Sequence, residues 1–271
     1  MILKNFIGIK SNIFYCIDYI PNRFNSFVLN YIYNFFDYVS TKYSDFCWNL
    51  TSRMTKDKIK KYRIDNKSKF LTVPIGINLI KKNKFYFKKK KIILIFFGTI
   101  KKENGLELIL KSNLLFFNNS NFETWIIGEG LYKKELQIQK KKYKLKNLKI
   151  FGKLSSKKIN NLFLNNNLIG LAPYLKAEQA YYADVTKPKF YISYGIPVVI
   201  TKIPVISKII KKKKLGILIS NTPKSLYFAV KKLSISMSQN KKYQQNIYMF
   251  GKKNFLWKKI FSSAFEKTIK Y

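Results

Sequence analysis

DVTKPKFYISYGIPVVITKIPVISK, the stretch from Asp184 to Lys208, decides the fold because a loop, a helix, a glycine turn and a strand follow one another in it. Asp184 or Thr186 is placed to cap the helix, and Gly195 is placed to end it in a left-handed conformation. The β-branched run from Val198 to Thr201 is typical of a strand covered on both faces. This order of elements predicts a ligand-side corner of an α/β domain.

Three upstream segments show the same alternation of strand, glycine turn and helix. They are IILIFFGTIKKENGLELIL (Ile92 to Leu110), FETWIIGEGLYKKEL (Phe122 to Leu136) and LKIFGKLSSKKINNLFLNNNLIGLAPY (Leu148 to Tyr174). In this order, and followed by the Gly-x-Pro-Val-Val run at Gly195, they resemble the nucleotide-sugar domain of retaining glycosyltransferases with the GT-B architecture. The resemblance is to the large group 1, family 4-like set.

The first part of the chain is predicted to be the later portion of a second domain. Strands are expected from Ile13 to Ile17, from Tyr38 to Lys42 and from Phe70 to Val73, with a helix from Ser26 to Phe36. The segment Pro74 to Asn78 is similar to the family's Val-Pro-x-Gly-Ile/Val-Asp/Asn sequence, which leads out of the acceptor domain. This part is therefore expected on the acceptor side.

The resemblance implies an α/β fold of the GT-B type, with two Rossmann-like domains built on parallel sheets and the N-terminal one incomplete. We expect a partial acceptor-side Rossmann-like domain over residues 1–80 and a lysine-rich linker over 81–91. A nucleotide-sugar-binding Rossmann-like domain is expected over 92–245, and a C-terminal helix crossing back over 246–271. The family's acceptor domain begins with several βα units, so the chain looks truncated at its N-terminus. A split gene, a decayed remnant and a wrongly chosen start codon are open explanations.

The chain has a formal charge of +40 at pH 7, and lysine supplies nearly all of it. Lysine, asparagine and isoleucine have AT-rich codons, so nucleotide bias in the source genome is the plainest explanation. Attraction to an anionic membrane surface is a second explanation, since each lysine near such a surface contributes about 1 kcal/mol. Nucleic-acid binding is a weaker third, because no nucleic-acid motif accompanies the lysines.

Missing residue types exclude several kinds of site. The chain has no histidine, which excludes histidine-dependent serine and cysteine triads and histidine-ligated metals. Cys16 and Cys47 are widely spaced in apolar surroundings and are expected to be buried thiols, not a disulfide or a metal cluster. No apolar run is long enough for a membrane span. We therefore expect a cytoplasmic protein, with peripheral attachment to the inner face of the membrane as a further expectation.

The C-terminal run from Tyr243 to Tyr271 alternates aromatic residues and lysines at helical spacing. Packing against the acceptor domain is one interpretation, and an amphipathic helix on a membrane surface is the other. The apolar positions are Phe250, Phe255, Trp257, Ile260, Phe261 and Phe265.

Glycine turns and nearby cations are the features that a nucleotide diphosphate needs. Gly98 directly follows the apolar strand from Ile92 to Phe97, where the backbone is open to a close approach. The family has an arginine just after this glycine and a lysine five positions further on, but Thr99 and Asn104 stand there. The residues expected around the donor in these turns are Gly98, Thr99, Lys101, Lys102, Gly128 and Glu129. The alternative for Lys101 and Lys102 is that they are solvated surface residues with no role in binding the donor.

The signature acids of the family are absent. The resemblance implies a glutamate at two positions, where Tyr182 and Phe190 stand in this chain. Asp184, Lys187 and Lys189 instead resemble the Asp-x-x-Lys-x-x pattern of a divergent branch that includes galactofuranosyl- and related exopolysaccharide transferases. Asp184 and Lys187 are the implied catalytic residues, with Lys187 on the diphosphate and Asp184 either on a sugar hydroxyl or capping the helix. The implied donor-binding set also includes Lys187, Lys189, Tyr191 and Gly195.

The resemblance implies transfer of a sugar from a nucleotide-diphosphate donor to a glycan or lipid-linked acceptor, in polysaccharide or cell-surface glycan synthesis. It implies no cofactor and no metal, because GT-B enzymes do without the Asp-x-Asp metal motif, which this chain lacks. A partner chain supplying the missing N-terminal elements is a further expectation. The alternatives are a non-catalytic remnant or subunit of a split glycosyltransferase and, more remotely, a basic membrane- or nucleic-acid-binding protein.

Overall fold

Two parallel β-sheets with helices on their faces form the part of the chain that the computed structural model describes, residues 11–78, 91–116, 119–240 and 242–269. The strands are β1 (Ile13–Cys16), β2 (Phe46–Asn49), β3 (Phe70–Thr72), β4 (Ile92–Phe97), β5 (Phe122–Ile127), β6 (Leu148–Phe151), β7 (Asn167–Ala172), β8 (Val198–Thr201) and β9 (Gly216–Ile219). The α-helices are α1 (Phe27–Tyr43), α2 (Ser52–Tyr62), α3 (Leu106–Asn113), α4 (Lys133–Lys142), α5 (Ser156–Asn165), α6 (Glu178–Tyr182), α7 (Thr186–Ser193), α8 (Ile206–Lys212), α9 (Pro223–Gln239), α10 (Tyr243–Asn254) and α11 (Trp257–Ile269). The predicted linker over residues 81–91 lies, apart from Lys91, outside these ranges.

The larger sheet has the strand order β6-β5-β4-β7-β8-β9, and every neighbouring pair is parallel. A strand such as Ile92–Phe97 is one continuous apolar run because both faces of the sheet are covered. The strand order reverses between β4 and β7, where the carboxyl ends of the two strands border a crevice. Ligands of open α/β sheets bind at such a reversal, so the residues after Phe97 and after Ala172 are positioned for a site.

The smaller sheet has three described strands in the order β1-β2-β3, again all parallel. Alternate residues of a strand point to opposite faces. Tyr15 and Trp48 contact Phe261 of α11 on one face, and Cys16 lies beside Asp37 of α1 on the other. The aromatic residues of α11 therefore pack against the smaller sheet, which agrees with the packing interpretation of the C-terminal run.

Helix α1 continues to Tyr43, so the strand predicted from Tyr38 to Lys42 is wrong. The prediction followed the aromatic and β-branched residues of that run, whereas the contacts of its polar residues keep it helical. Asp37 and Thr41, one turn apart, are the buried side chains of α1. Lys58 of α2 donates to the Asp37 carboxylate over 2.6 Å and to Thr41 Oγ1 over 3.4 Å. Strand β2, which the sequence prediction missed, follows directly.

Helix α7 ends as predicted but begins differently. Gly195 follows it with a φ of 72°, the left-handed conformation expected of a C-terminal glycine. The predicted side-chain cap is wrong, because Val185 occupies the N-cap position and makes no capping hydrogen bond. Thr186 is already the first helical residue, and the Asp184 carboxylate accepts a hydrogen bond from the Ile75 N–H instead of capping the helix.

Cys16 and Cys47 are buried free thiols, as predicted. They lie on neighbouring strands of the smaller sheet, β1 and β2. Burial raises the pKa of the Cys47 thiol to about 11, so this sulfur stays protonated and unreactive at neutral pH.

We predict that Lys58→Met destabilises the protein by about 3–5 kcal/mol, because the buried Asp37 carboxylate loses its counter-ion. Urea denaturation followed by tryptophan fluorescence measures this loss. Lys60 on the same helix is exposed and serves as the matched control, with an expected effect of Lys60→Met below about 0.5 kcal/mol. Equal effects of the two substitutions would show that the Asp37–Lys58 pair does not hold α1 in place.

Candidate active site

Two joined cavities lie at the carboxyl end of β4, between the larger sheet and the segment Pro74 to Asn78. Their volumes are about 1010 and 520 Å³. The residues that line both cavities are Ile77, Phe97, Gly98, Thr99 and Phe190. The two cavities therefore form one cleft at the reversal of the strand order, where the topology places a ligand.

The smaller cavity contains the buried amine of Lys187. Its Nζ is inaccessible to solvent and makes no hydrogen bond to the protein. It lies 3.6 Å from the centre of the Phe96 ring and 5.1 Å from the centre of the Tyr174 ring. Burial lowers the pKa of Lys187 well below that of a free lysine. An anion entering the cavity would supply the negative charge and the acceptors that this amine lacks.

Gly98 lies next to the side chain of Lys187. A Cβ at position 98 would lie 3.2 Å from Lys187 Cε and 3.8 Å from its Nζ. The Gly98 N–H donates to the Ile127 carbonyl over 3.0 Å and is already used. The absence of a side chain at Gly98, and not a free N–H, is therefore what leaves room for the Lys187 side chain beside it. Thr99 and Lys101 follow on the same wall of the cavity.

The Gly128 turn packs directly on the Gly98 turn. Gly128 has a φ of 149°, and a Cβ there would lie 2.0 Å from the carbonyl oxygen of Gly98. Glu129 lines the larger cavity, but its carboxylate contacts Lys133 over 2.8 Å and accepts from the Lys153 N–H over 3.3 Å. This turn therefore shapes the cavity, and protein groups hold the carboxylate of Glu129.

The larger cavity is mainly apolar, with polar groups at a few points. Phe97, Phe190 and Trp257 contribute aromatic rings to its wall. Tyr194 donates its hydroxyl to Asn160 Oδ1 over 3.1 Å, and both residues line the cavity. An apolar cavity with a few fixed polar groups suits a flat heteroaromatic ring.

Asp184 and Lys189 form a buried ion pair that hydrogen-bonds both backbone polar groups of Ile75. The Asp184 carboxylate accepts from the Ile75 N–H over 2.6 Å, and Lys189 Nζ donates to the Ile75 carbonyl over 2.6 Å. Burial raises the pKa of the Asp184 carboxyl, although Lys189 opposes the shift. Asp184 lines the smaller cavity, and its contacts with the Ile75 N–H and with Lys189 are both made by its Oδ2. Lys189 is 2% exposed and lines neither cavity.

Only part of the predicted set comes together in the cleft. The predicted residues that line it are Gly98, Thr99, Lys101, Gly128, Glu129, Asp184 and Lys187. Those that line neither cavity are Lys102, Lys189, Tyr191 and Gly195. The Tyr191 hydroxyl is buried under the sheet, where it donates to the Ile95 carbonyl over 3.0 Å and accepts from the Phe97 N–H over 2.9 Å. Tyr191 therefore holds α7 against β4.

Sequence reasoning missed Arg53, which joins the two lobes at the edge of the smaller cavity. Its guanidinium donates to the carbonyl of Tyr181 over 2.9 Å and to that of Ile203 over 2.5 Å, and lies over the Tyr181 ring. Ala180 and Ala183, beside Tyr181, line the cavity, so this contact positions one of its walls. Arg53 is one of three arginines in a chain rich in lysine. The rarity of arginine is the feature of the sequence that could have pointed to a specific role for Arg53.

Asn160, Tyr194 and Trp257 were also missed as lining residues of the larger cavity. Trp257 comes from the C-terminal helix α11, almost 160 residues after Gly98 in the sequence, and contacts Gly76 so closely that a Cβ on Gly76 would lie 2.6 Å from its ring. No local pattern could have placed it there.

Comparison with solved structures identifies the fold. The Anabaena protein HepE, solved with UDP and glucose, has a TM-score of 0.71 at 12% identity, covering 98% of this chain and 73% of that one. Sucrose-phosphate synthase from Thermosynechococcus elongatus has a TM-score of 0.70 at 11% identity, covering 99% and 71%. The lipopolysaccharide outer core galactosyltransferase WaaB has a TM-score of 0.68 at 16% identity, covering 99% and 78%.

No family model matches the chain, and no curated protein matches it. At identities this low, the similarity to solved structures concerns the fold. The chain has the GT-B fold of these glycosyltransferases, with two lobes of parallel α/β structure. The fold class predicted from the sequence is therefore confirmed.

We predict opposite effects of one substitution at two lysines of α7. Lys187→Met stabilises the ligand-free protein by about 1–3 kcal/mol, because it removes a buried donor that has no partner. Lys189→Met destabilises it by about 3–5 kcal/mol, because Asp184 is left buried without its counter-ion. Urea denaturation of both variants measures the difference. A loss of stability in Lys187→Met comparable to that in Lys189→Met would show that Lys187 is a structural residue.

Proposed function

We propose that the cleft binds a nucleotide-diphosphate sugar and that the chain transfers this sugar to a glycan or lipid-linked acceptor. The observation that carries the proposal is the state of Lys187. Among the described residues it is the one lysine whose Nζ is buried without a hydrogen bond. It lies beside Gly98 at the strand reversal, where a GT-B fold offers its ligand cleft.

In this proposal the diphosphate lies in the smaller cavity and the base lies in the larger one. Lys187 contacts the diphosphate, with Thr99 and Lys101 on the neighbouring wall. Phe97 and Phe190 line both cavities and stand between the two parts of the ligand. The shared fold of HepE, which was solved with UDP and glucose, supports a nucleotide ligand.

Lys187 acts on the leaving group. As the bond between sugar and diphosphate breaks, negative charge grows on the diphosphate, and a cation held in a dry pocket stabilises that charge better than water does. The phosphate oxygens favour the charged form of the amine, so binding of the donor raises the pKa of Lys187. The Phe96 and Tyr174 rings pack around the side chain and keep water from it. In this proposal Asp184 positions the cavity wall through its Oδ2, which accepts from the Ile75 N–H.

A non-catalytic subunit is the second candidate, and one observation favours it. Tyr182 and Phe190 stand where the sequence resemblance implies two carboxylates, and both are packed among aromatic rings. Neither side chain can accept a hydrogen bond from a sugar as a carboxylate does. A subunit of this kind would retain the nucleotide cleft and need a partner chain for transfer in polysaccharide or cell-surface glycan synthesis.

We predict that one of UDP, GDP and ADP raises the melting temperature selectively, because a ligand specific to the native state stabilises it by mass action. Lys187→Met raises the dissociation constant for that nucleotide about tenfold to a hundredfold, since a hydrogen bond to a charged group is lost. Lys208→Met, on exposed surface of α8, is the control and leaves the constant unchanged.

The outcomes separate the two candidates. Release of free nucleotide from the matching nucleotide sugar, lost in Lys187→Met, supports the transferase. Selective binding without release supports the subunit. Absence of any selective shift contradicts both.

We also predict that nucleotide affinity falls as the pH rises above about 7, where a phosphate group is already ionised. The pKa of Lys187 is lowered in the free protein and raised in the complex, so binding between these two values takes up a proton. Calorimetry in buffers of different ionisation enthalpy counts that proton. Lys187→Met should bind without proton uptake, and uptake that persists in this variant would assign the effect to another group.

A further inference from the structure

Strand β1 forms an open edge of the smaller sheet. Within the described part of the chain it pairs with β2 and has no strand on its other side. An open edge offers its N–H and C=O groups to any other strand, and proteins commonly block such edges with lysine or proline. β1 carries neither, although lysine and arginine make up 53 of the 271 residues, and the edge strand β6 of the larger sheet carries Lys149. The edge of β1 is therefore free to pair.

Helix α1 lies above this edge strand. α1 connects β1 to β2 and α2 connects β2 to β3, so right-handed crossovers place both helices on one face of the sheet. The contacts of Lys58 on α2 agree, because its Nζ lies over the Phe14 ring of β1 and bonds the Asp37 carboxylate of α1. Since the strand order is β1-β2-β3, α2 covers the inner side of α1 and leaves the outer side above the open edge.

The outer side of α1 is apolar and exposed. Asn34 and Asp37 bond lysines of α2 and mark the inner side. Ile32 and Phe36 each lie two positions from Asn34, which at about 100° per residue places them on the outer side. Ile32 is 45% exposed and Phe36 is 64% exposed, and a contiguous apolar surface of this kind marks a contact site. The exposed large apolar residues of α1 are Phe27, Val28, Leu29, Tyr31, Ile32, Phe35, Phe36 and Tyr43.

The segment that carries this edge and this helix side is almost free of charge. From Ser11 to Thr41 it has a single cation, Arg23, which pairs with Asp18 over 2.6 Å. The other acid of the segment, Asp37, is buried against Lys58. A neutral or acidic partner has no need of such a surface, since lysines would steer it to its contact. A surface without lysines suits a partner that is itself strongly cationic.

We propose that two copies of the chain dock through the β1 edge and the outer side of α1, around a two-fold axis perpendicular to the smaller sheet. This axis pairs β1 antiparallel with β1 of the second copy and keeps both α1 helices on the same face. Neighbouring strands lie about 4.8 Å apart, and a crossover helix lies over the strands that it connects. The two α1 helices then lie about 10 Å apart, which is the spacing of packed helices. One contact therefore covers both open surfaces.

The net charge of the chain gives this contact a characteristic salt dependence. Each copy carries a formal charge of +40, so the copies repel one another at long range. Salt screens this repulsion, and the contact itself is apolar, so added salt should strengthen the association. Binding of an acidic partner through the lysines would weaken with salt.

Sedimentation velocity of the full chain, over a range of protein concentrations at low and at high sodium chloride, tests the proposal. We expect a monomer–dimer equilibrium that shifts toward the dimer at high salt. The variant I32K/F36K places like charges against each other in the contact and should raise the dimer Kd about a hundredfold or more. The matched control F228K/I235K adds the same charge at two exposed apolar positions of α9 and should leave the Kd at high salt unchanged.

Cysteine cross-linking tests the two-fold geometry independently. Cys16 and Cys47 are buried, so a cysteine introduced on the exposed side of α1 is the reactive one. Asp37 lies beside Cys16 of β1, so the neighbouring position 36 lies close to the proposed axis. A short bis-maleimide should therefore join two copies of the Phe36→Cys variant. Phe27→Cys lies about 14 Å further along the same helix and should stay monomeric under the same treatment.

Four outcomes would overturn the proposal. They are a chain that sediments as a monomer under every condition, a dimer that weakens with salt, equal weakening of the dimer by I32K/F36K and F228K/I235K, and cross-linking of Phe27→Cys but not of Phe36→Cys. Urea denaturation of each variant shows that its fold is retained. Nucleotide is absent from these assays, so their outcome is independent of the proposed transferase function.

Discussion

The hydrogen bonds of the Asp184–Lys189 pair to the backbone of Ile75 are the contact that fixes the crossing segment beside the cleft. Asp184 accepts from the Ile75 N–H and Lys189 donates to the Ile75 carbonyl, so both backbone polar groups of this half-buried residue are satisfied. The residues that follow, Gly76, Ile77 and Asn78, form a wall of the larger cavity. Arg53, which donates to the carbonyls of Tyr181 and Ile203, is a second contact between the two lobes at the cleft.

The sequence analysis placed both Lys187 and Lys189 at the ligand, but the structure gives the two lysines different surroundings. Their spacing along the helix explains the difference. Residues two apart on a helix do not share a face. On α7, Lys189 points to Ile75, and Lys187 points to the end of β4. Both amines are buried and both pKa values are lowered by burial, but Asp184 opposes the shift of Lys189 alone. The partner, and not the residue type, separates a structural lysine from a candidate ligand-binding one.

The sequence predicted the larger sheet well because parallel strands buried on both faces are continuous apolar runs that end at glycine turns. The sequence prediction failed where contacts between residues far apart in the sequence determine the structure. Helix α1 was predicted too short because its buried residues are polar, and their partner Lys58 lies on another helix. The helix-capping role of Asp184 was wrong because its carboxylate accepts from the N–H of Ile75, which is 109 positions away. Trp257 reaches the cleft from the C-terminal helix, and no local pattern places it there.

The distribution of lysine bears on the origin of the charge of +40. A bias toward AT-rich codons enriches phenylalanine, isoleucine and asparagine as well as lysine, and by itself does not choose among them at an exposed position. The exposed rows of α1 nevertheless contain phenylalanine, tyrosine and isoleucine and no lysine. Exposed positions of α4 and α8 carry lysine freely. Bias toward AT-rich codons therefore accounts for the lysines of the surface in general but not for the apolar composition of the exposed side of α1.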